Sequence, residues 1–179
     1  MRKLQLSDIQ YVISKLGNIS IFQYLSEEEK RQLLTICEIY EYNPAERIIT
    51  QGESSTCFYA ILSGTVNVCI TDKNSAKGEV FLSRIDEGEF FGETGIFSNA
   101  KRSANVTASS TTEILCIRRN EFFNYMSQYT GAGVKILMIF IDGLLKKLNE
   151  SNNKELASER CELSDRSAID QFLKDLTKK

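Results

Sequence analysis

From Tyr40 to Ile117 the chain reads as short apolar and polar alternations, broken every few residues by glycine, serine, asparagine or aspartate. A period of two with frequent turn residues predicts antiparallel strands. The segments are ERIITQG, CFYAILSG, TVNVCIT, EVFLSRI, ANVTASS and TEILCIR. Asp72 to Gly78 (DKNSAKG) is a polar, glycine-containing loop between two of them and predicts a hairpin. Pro44, the only proline, stands before the first expected strand, where a missing N–H costs little. Roughly six to eight short strands in so short a stretch predict a barrel or roll.

Helical spacing flanks this region. Ile9, Val12, Ile13 and Leu16 recur on one face of SDIQYVISKL, with Ser7 placed to cap its first turn. In SEEEKRQLLTIC, Ser26 and Glu29 form a capping-box pattern, three acids crowd the positive end of the helix dipole, and Leu33, Leu34 and Ile36 supply the apolar face. Gly17 to Leu25 is then a connector. Helix is expected to return at Asn120, with Glu121, Phe122 and Phe123 in the opening turn. After Gly131 and Gly133, Val134, Leu137, Ile141, Leu144 or Leu145, and Leu148 predict a longer helix. Ile136, Met138, Ile139 and Phe140 also need cover, more than one domain face normally hides, so a partner helix is expected. Residues 149–163 are polar and extend that helix or form a linker. Ser164 then caps a short amphipathic segment carrying Ile169, Phe172, Leu173 and Leu176.

The expected architecture is α+β: an antiparallel β-roll, jelly-roll-like, with N-terminal helices, a long C-terminal helix and a short terminal helix. Its parts are a helix in 1–18, a roll with flanking helices in 19–130, the long helix in 131–157, and a tail in 158–179.

Composition removes several function classes. The chain has 179 residues, a net charge of −2 and no histidine. It therefore lacks both a broadly basic surface for nucleic acid and the commonest general base. Five cysteines at 37, 57, 69, 116 and 161 form no CxxC pair, so no metal site is expected. Cys37, Cys57, Cys69 and Cys116 are expected as small buried apolar side chains in a reducing compartment. The longest apolar run, Ile136 to Ile141, is far short of a membrane span, and the N-terminus lacks the apolar core of a signal peptide. The expectation is a cytoplasmic protein that is not an enzyme and binds neither DNA nor membrane.

The informative segment is Glu87 to Ala108, EGEFFGETGIFSNAKRSANVTA. It holds a turn glycine, two aromatics, a Gly-Glu pair, enough residues for one helical turn, and an arginine followed by small residues. A compact cyclic phosphodiester needs an arginine and backbone N–H groups unobstructed by Cβ atoms. Arg102, Gly92, Ser103 and Ala104 are residues of those types. Glu93 supplies an acceptor for a ribose hydroxyl, and Arg102 must then offset both the phosphate charge and the carboxylate.

FGE, the nine-residue step from Glu93 to Arg102, and RSA closely resemble the phosphate-binding cassette of the cyclic-nucleotide-binding domain family, of the catabolite-activator and protein kinase A regulatory kinds. Gly52, Gly64 and Gly88 fall where that family places turn glycines, and the resemblance covers about residues 19 to 157. It implies a roll cradling cAMP or cGMP, with no other cofactor. Glu93 would take the ribose hydroxyl and Arg102 the exocyclic phosphate oxygens, aided by the Ser103 hydroxyl and backbone N–H groups around Thr94 and Ala104. Phe91 and Gly92 complete the cassette. Ile85 and Leu82 match positions near the base, and Ser151 and Asn152 align by offset with base-touching positions. Thr94 stands where an apolar residue is usual. Lys101 replaces a frequent proline, either adding charge near the phosphate or pointing to solvent.

The resemblance implies a sensor whose output is conformational, binding cAMP in first place and cGMP in second, with a homodimer or partner protein meeting the 134–148 helix. A ligand-independent dimerisation or interaction module on the same fold is the alternative. The 23 residues after Leu156 are too few for a helix-turn-helix domain, so no DNA-binding domain is expected.

Overall fold

Two antiparallel sheets face one another, and helices cover one of them. The computed structural model describes residues 1–4, 9–72, 78–155 and 174, the side chains of 147–155 excepted. Ser7, the interior of the 72–78 loop, and the 164–176 segment apart from Lys174 lie outside the described residues.

Strand β1 (Arg2–Leu4) is followed by helices α1 (Ile9–Asn18) and α2 (Glu27–Leu34), then by strands β2 (Cys37–Tyr42), β3 (Arg47–Ile49), β4 (Cys57–Ser63), β5 (Val66–Thr71), β6 (Glu79–Ile85) and β7 (Phe90–Phe91). Helix α3 (Glu93–Phe97) interrupts the strands before β8 (Asn105–Ala108) and β9 (Thr112–Arg118), and α4 (Arg119–Gln128) and α5 (Thr130–Glu155) close the chain. One sheet has the order β1-β2-β9-β4-β7 and the other β3-β8-β5-β6. All six expected strand segments are present.

The sheet covered by helices shows why alternation specifies a roll. On β4, Phe58, Ala60 and Leu62 face the helices, while Tyr59 and Ile61 face the interior between the sheets. Phe58 is fully buried and meets Phe22, Phe90, Phe122 and Phe140 at ring-centroid distances of 5.6–6.2 Å. Pairs of this kind contribute about 0.5–1.5 kcal/mol each beyond the area they bury. Helices α4 and α5, strand β7 and the connector between α1 and α2 thereby meet on a single side chain.

Helix α2 begins as its capping box requires. The Glu29 backbone N–H donates to Ser26 Oγ at 3.2 Å, and the Ser26 N–H donates to the Glu29 carboxylate at 2.7 Å. It ends at Leu34 rather than running through Cys37, because Cys37 already pairs with Ile117 in the sheet. Pro44 accordingly follows β1 and β2 and sits in the turn before β3. Cys37 and Cys116 are buried as expected, whereas Cys57 and Cys69 are only half-buried.

Helix α5 starts at Thr130, one residue before the expected boundary, and runs through both glycines. Gly133 lies so close to Met126 that a Cβ would sit 3.0 Å from the Met126 carbonyl oxygen, so this glycine lets α4 and α5 pack rather than breaking the helix. The face of α5 that docks on the roll carries Ala132, Ile136 and Phe140, together with the buried Lys135, whose ammonium pairs with Glu29 at 2.9 Å. The stripe of Val134, Leu137, Ile141, Leu144 and Leu145 is exposed. Among the described residues no helix is long and apolar enough to cross a membrane, and no cluster of carboxylate or thiol side chains could hold a metal ion.

Candidate functional site

Between α3 and the β3-β8-β5-β6 sheet lies a cleft of about 200 Å³. One wall is the turn and first residues of α3, from Phe90 to Gly95. A second is the extended segment Ala100 to Ala104. The sheet contributes a third, largely apolar wall of Ile49, Val68, Ser83, Ile85 and Val106. The cleft therefore has one polar side that carries charge and one side suited to a flat apolar ring.

Local sequence explains its shape. Gly92 enters α3 with a positive φ of 81°, a conformation costly for a residue with a Cβ. Gly95 is closer still to its neighbours. A Cβ there would sit 2.6 Å from Arg102 Nη1 and 2.7 Å from the Ser55 carbonyl oxygen, so only glycine lets the guanidinium pass beneath α3. The far end of α3 is held by Arg119, whose Nε donates to the Gly95 carbonyl at 3.1 Å and whose Nη1 donates to Asn99 Oδ1 at 2.6 Å.

Arg102 is the electrostatic feature of the site. It is only 7% exposed, and its backbone is fixed by bonds between Arg102 N–H and the Glu53 carbonyl (2.9 Å) and between Gly52 N–H and the Arg102 carbonyl (2.8 Å). The guanidinium donates to the Gly92 carbonyl (3.1 Å), Ser55 Oγ (3.0 Å) and the Cys57 carbonyl (2.5 Å), and lies 5.8 Å from the Tyr59 ring centroid. None of these bonds goes to Glu93, and among the described residues Arg102 forms no ion pair. Its Nε is a buried donor with no hydrogen-bond partner among the described residues. A buried cation held by neutral oxygens is poorly compensated.

Of the residues expected from sequence, Phe91, Gly92, Glu93, Thr94, Arg102, Ser103, Ala104 and Ile85 line this one cleft. Lys101, left open between cleft and solvent, lines the cleft and is exposed. Leu82 does not line it. Val68 pairs with Ser83 and Cys69 with Phe81, so Leu82 is the residue the ladder skips; out of phase with Ser83 and Ile85, it is 53% exposed outside the cleft. Ser151 and Asn152 lie in α5, but their side chains are outside the described residues.

Several residues were not foreseen. Ser83 follows from the same alternation that places Ile85, and Val68 faces it across the β5-β6 ladder. Ser55, which holds the guanidinium, and Arg119, which anchors α3, have no local signal. Their roles arise from contacts across 47 and 24 residues.

The cyclic nucleotide-binding domain model matches residues 39–129, about half of the chain. The chain belongs to the cyclic nucleotide-binding domain family. The cAMP-activated global transcriptional regulator CRP of Haemophilus influenzae is 31% identical over 137 residues, which is 72% of this chain and 58% of that protein. The cAMP-dependent protein kinase regulatory subunit of Mycosarcoma maydis is 32% identical over 98 residues, 55% of this chain and 18% of that protein. The chain thus spans under two thirds of the length of either curated relative. Among solved structures, a cyclic nucleotide-binding domain from Methylobacillus flagellatus has a TM-score of 0.69 at 24% identity, covering 87% of this chain and 86% of the other. The catabolite activator protein of Thermus thermophilus has a TM-score of 0.66 at 24% identity, with coverage of 75% and 61%. At these identities the solved structures establish the β-roll fold. The segment that matches the family model contains β3 to β9, and so every residue lining the cleft.

Proposed function

We propose that this chain is a non-catalytic sensor of a cyclic nucleotide, cAMP in first preference and cGMP in second, which signals through its C-terminal helices. The observation that carries the reading is the buried Arg102 guanidinium, without an ion pair among the described residues, on the wall of a cleft that also holds Glu93. A cyclic phosphodiester supplies the missing negative charge, and its ribose hydroxyl gives the Glu93 carboxylate a donor. The apolar wall of Ile49, Val68 and Ile85 suits the face of a purine. The regulatory subunit and transcriptional regulator described above, both cAMP-linked by name, favour the same ligand.

The route to an output is a packing contact. Phe97 at the end of α3 meets Phe140 of α5 edge-on, with centroids 5.0 Å apart, and Phe90 at the start of the turn meets the same ring at 5.4 Å. A ligand that draws α3 toward the sheet shifts the surface on which α5 rests, and differential affinity for the two arrangements is all that signalling requires. The exposed stripe of α5 then meets a second copy or a partner protein differently in each state.

A thermal melt tests the reading. With cAMP or cGMP at about one hundred times its dissociation constant, binding to the native state adds about 2.7 kcal/mol, or roughly 5–10 °C in Tm for a chain of this size. No shift with either nucleotide would favour the ligand-independent module.

A further inference from the structure

Strands β4 and β9 run antiparallel with Cys57 opposite Arg118 and Tyr59 opposite Cys116. All four side chains therefore leave the same face of the sheet, and Cys57 and Cys116 are diagonal neighbours across the ladder. The two thiols interact directly. Cys116 favours thiolate on Cys57, and Cys57 in turn keeps the proton on Cys116; the Ser55 hydroxyl, Arg118 and Arg102 favour the Cys57 thiolate further, against the opposing effect of burial.

Accessibility separates the pair into two roles. Cys57 is half-buried and lines a second cleft of about 410 Å³, on the other side of the Ser98 to Ala100 turn, beside Ser55, Thr56 and Arg119. Cys116 is 6% exposed and is not among the residues lining that cleft. Cys37 has neither property, being buried with its Sγ 3.0 Å from the Leu33 carbonyl oxygen and its thiol pushed up by burial.

We propose that Cys57 and Cys116 are a peroxide-reactive thiol pair that closes to a disulfide, and that closure loosens the seat of Arg102. The Cys57 thiolate attacks one oxygen of hydrogen peroxide, the O–O bond breaks, and hydroxide leaves to become water. The resulting Cys57 sulfenic acid is attacked by the Cys116 sulfur, which forms the S–S bond, expels the second oxygen as hydroxide, and gives up its proton to make a second water. Two thiols lose two electrons and one peroxide gains them.

The link to Arg102 is the Cys57 carbonyl, which accepts the shortest of the three guanidinium hydrogen bonds. Diagonal neighbours in a regular ladder sit about 7–8 Å apart, whereas a disulfide spans roughly 4.4–6.8 Å between Cα atoms. Closure therefore draws the Cys57 end of β4 toward Cys116 and carries that carbonyl with it. This second half of the proposal rests on Arg102 being the anion-holding residue of the sensor.

The test uses the full reduced chain, hydrogen peroxide and peptide mapping by mass spectrometry. A cross-linked Cys57–Cys116 peptide, two hydrogens lighter and restored by dithiothreitol, is the expected product. Cys116→Ser should instead leave a sulfenic acid on Cys57 that dimedone traps, and Cys57→Ser should leave Cys116 unmodified. A parent chain that forms no such cross-link, or that is oxidised first at Cys37 or Cys69, overturns the pair. In the second arm, oxidation should weaken cyclic-nucleotide affinity about tenfold in the parent and leave Cys57→Ser unchanged. Equal affinity of oxidised and reduced parent overturns the coupling. A reduced parent that binds neither nucleotide overturns the coupling and the sensor reading together, while the mapping result stands by itself.

Discussion

Two residues of opposite charge and two glycines decide the site, and each does so by what surrounds it. Arg102 is buried among neutral oxygens, and Gly95 is what lets it lie there. Gly95→Ala should therefore push the guanidinium out of its seat without touching any other wall of the cleft. A Cβ 2.6 Å from Nη1 and 2.7 Å from a backbone oxygen forces a shift, so we expect the variant to lose about tenfold or more in cyclic-nucleotide affinity while melting within a few degrees of the parent. Titration and a melt of the same preparation check both statements. At this scale the sequence was most informative. The Glu93 to Arg102 spacing, the Gly92 turn and Ile85 were all legible because they lie within one short stretch with a distinctive composition. Leu82 was expected from the family resemblance alone; it lies an odd number of positions from Ser83 and Ile85, so the alternation that brings those two to the cleft does not bring Leu82 with them. Ser55 and Arg119 were illegible because nothing nearby in the chain announces them.

Between elements, the join of β1, β2 and β9 rests partly on one carboxylate. Glu38 on β2 accepts from Lys3 of β1 at 2.5 Å, from the Tyr40 hydroxyl at 2.9 Å and from Arg118 of β9 at 3.2 Å, and these bonds hold its carboxyl down to about 2 from an ordinary 4.5. A folded-state value below the unfolded one means the stabilisation is present above about pH 4.5 and disappears as pH falls toward 2. Glu38→Gln should then be less stable than the parent at neutral pH, with the difference in denaturation midpoint closing over that acid window. A difference that stays constant across it would contradict the assignment. Strand β1 itself was not foreseen, since three residues carry too little pattern to mark a strand, and β7, only two residues long, was hidden in the cassette for the same reason. Helix α5 was legible as a helix, yet its docking face was not. Nearly every position of its first half is apolar, so periodicity alone could not say that Ile136 and Phe140 face the roll while Leu137 and Ile141 face outward.

The molecule as a whole joins a charged cleft to an exposed helix through an aromatic cluster. Phe58 fixes the roll beneath the helices, Phe97 and Phe90 touch Phe140, and Phe140 belongs to the helix whose outer stripe is exposed. A change at α3 has a short physical path to that stripe, and no catalytic group is needed along it. The roll was readable from alternation and the cleft from its cassette, whereas the coupling between them became visible only when the aromatic rings were placed in space. The central claim is that Arg102, buried and without an ion pair among the described residues, receives the charge of a cyclic phosphate. Isothermal titration of the parent, Arg102→Ala and Leu82→Ala with cAMP and cGMP tests it most directly. Saturable one-site binding to the parent, a loss of about 30-fold or more in Arg102→Ala, and near-parent affinity in Leu82→Ala are the expected results. Heat flow indistinguishable between the parent and Arg102→Ala with both nucleotides would contradict it.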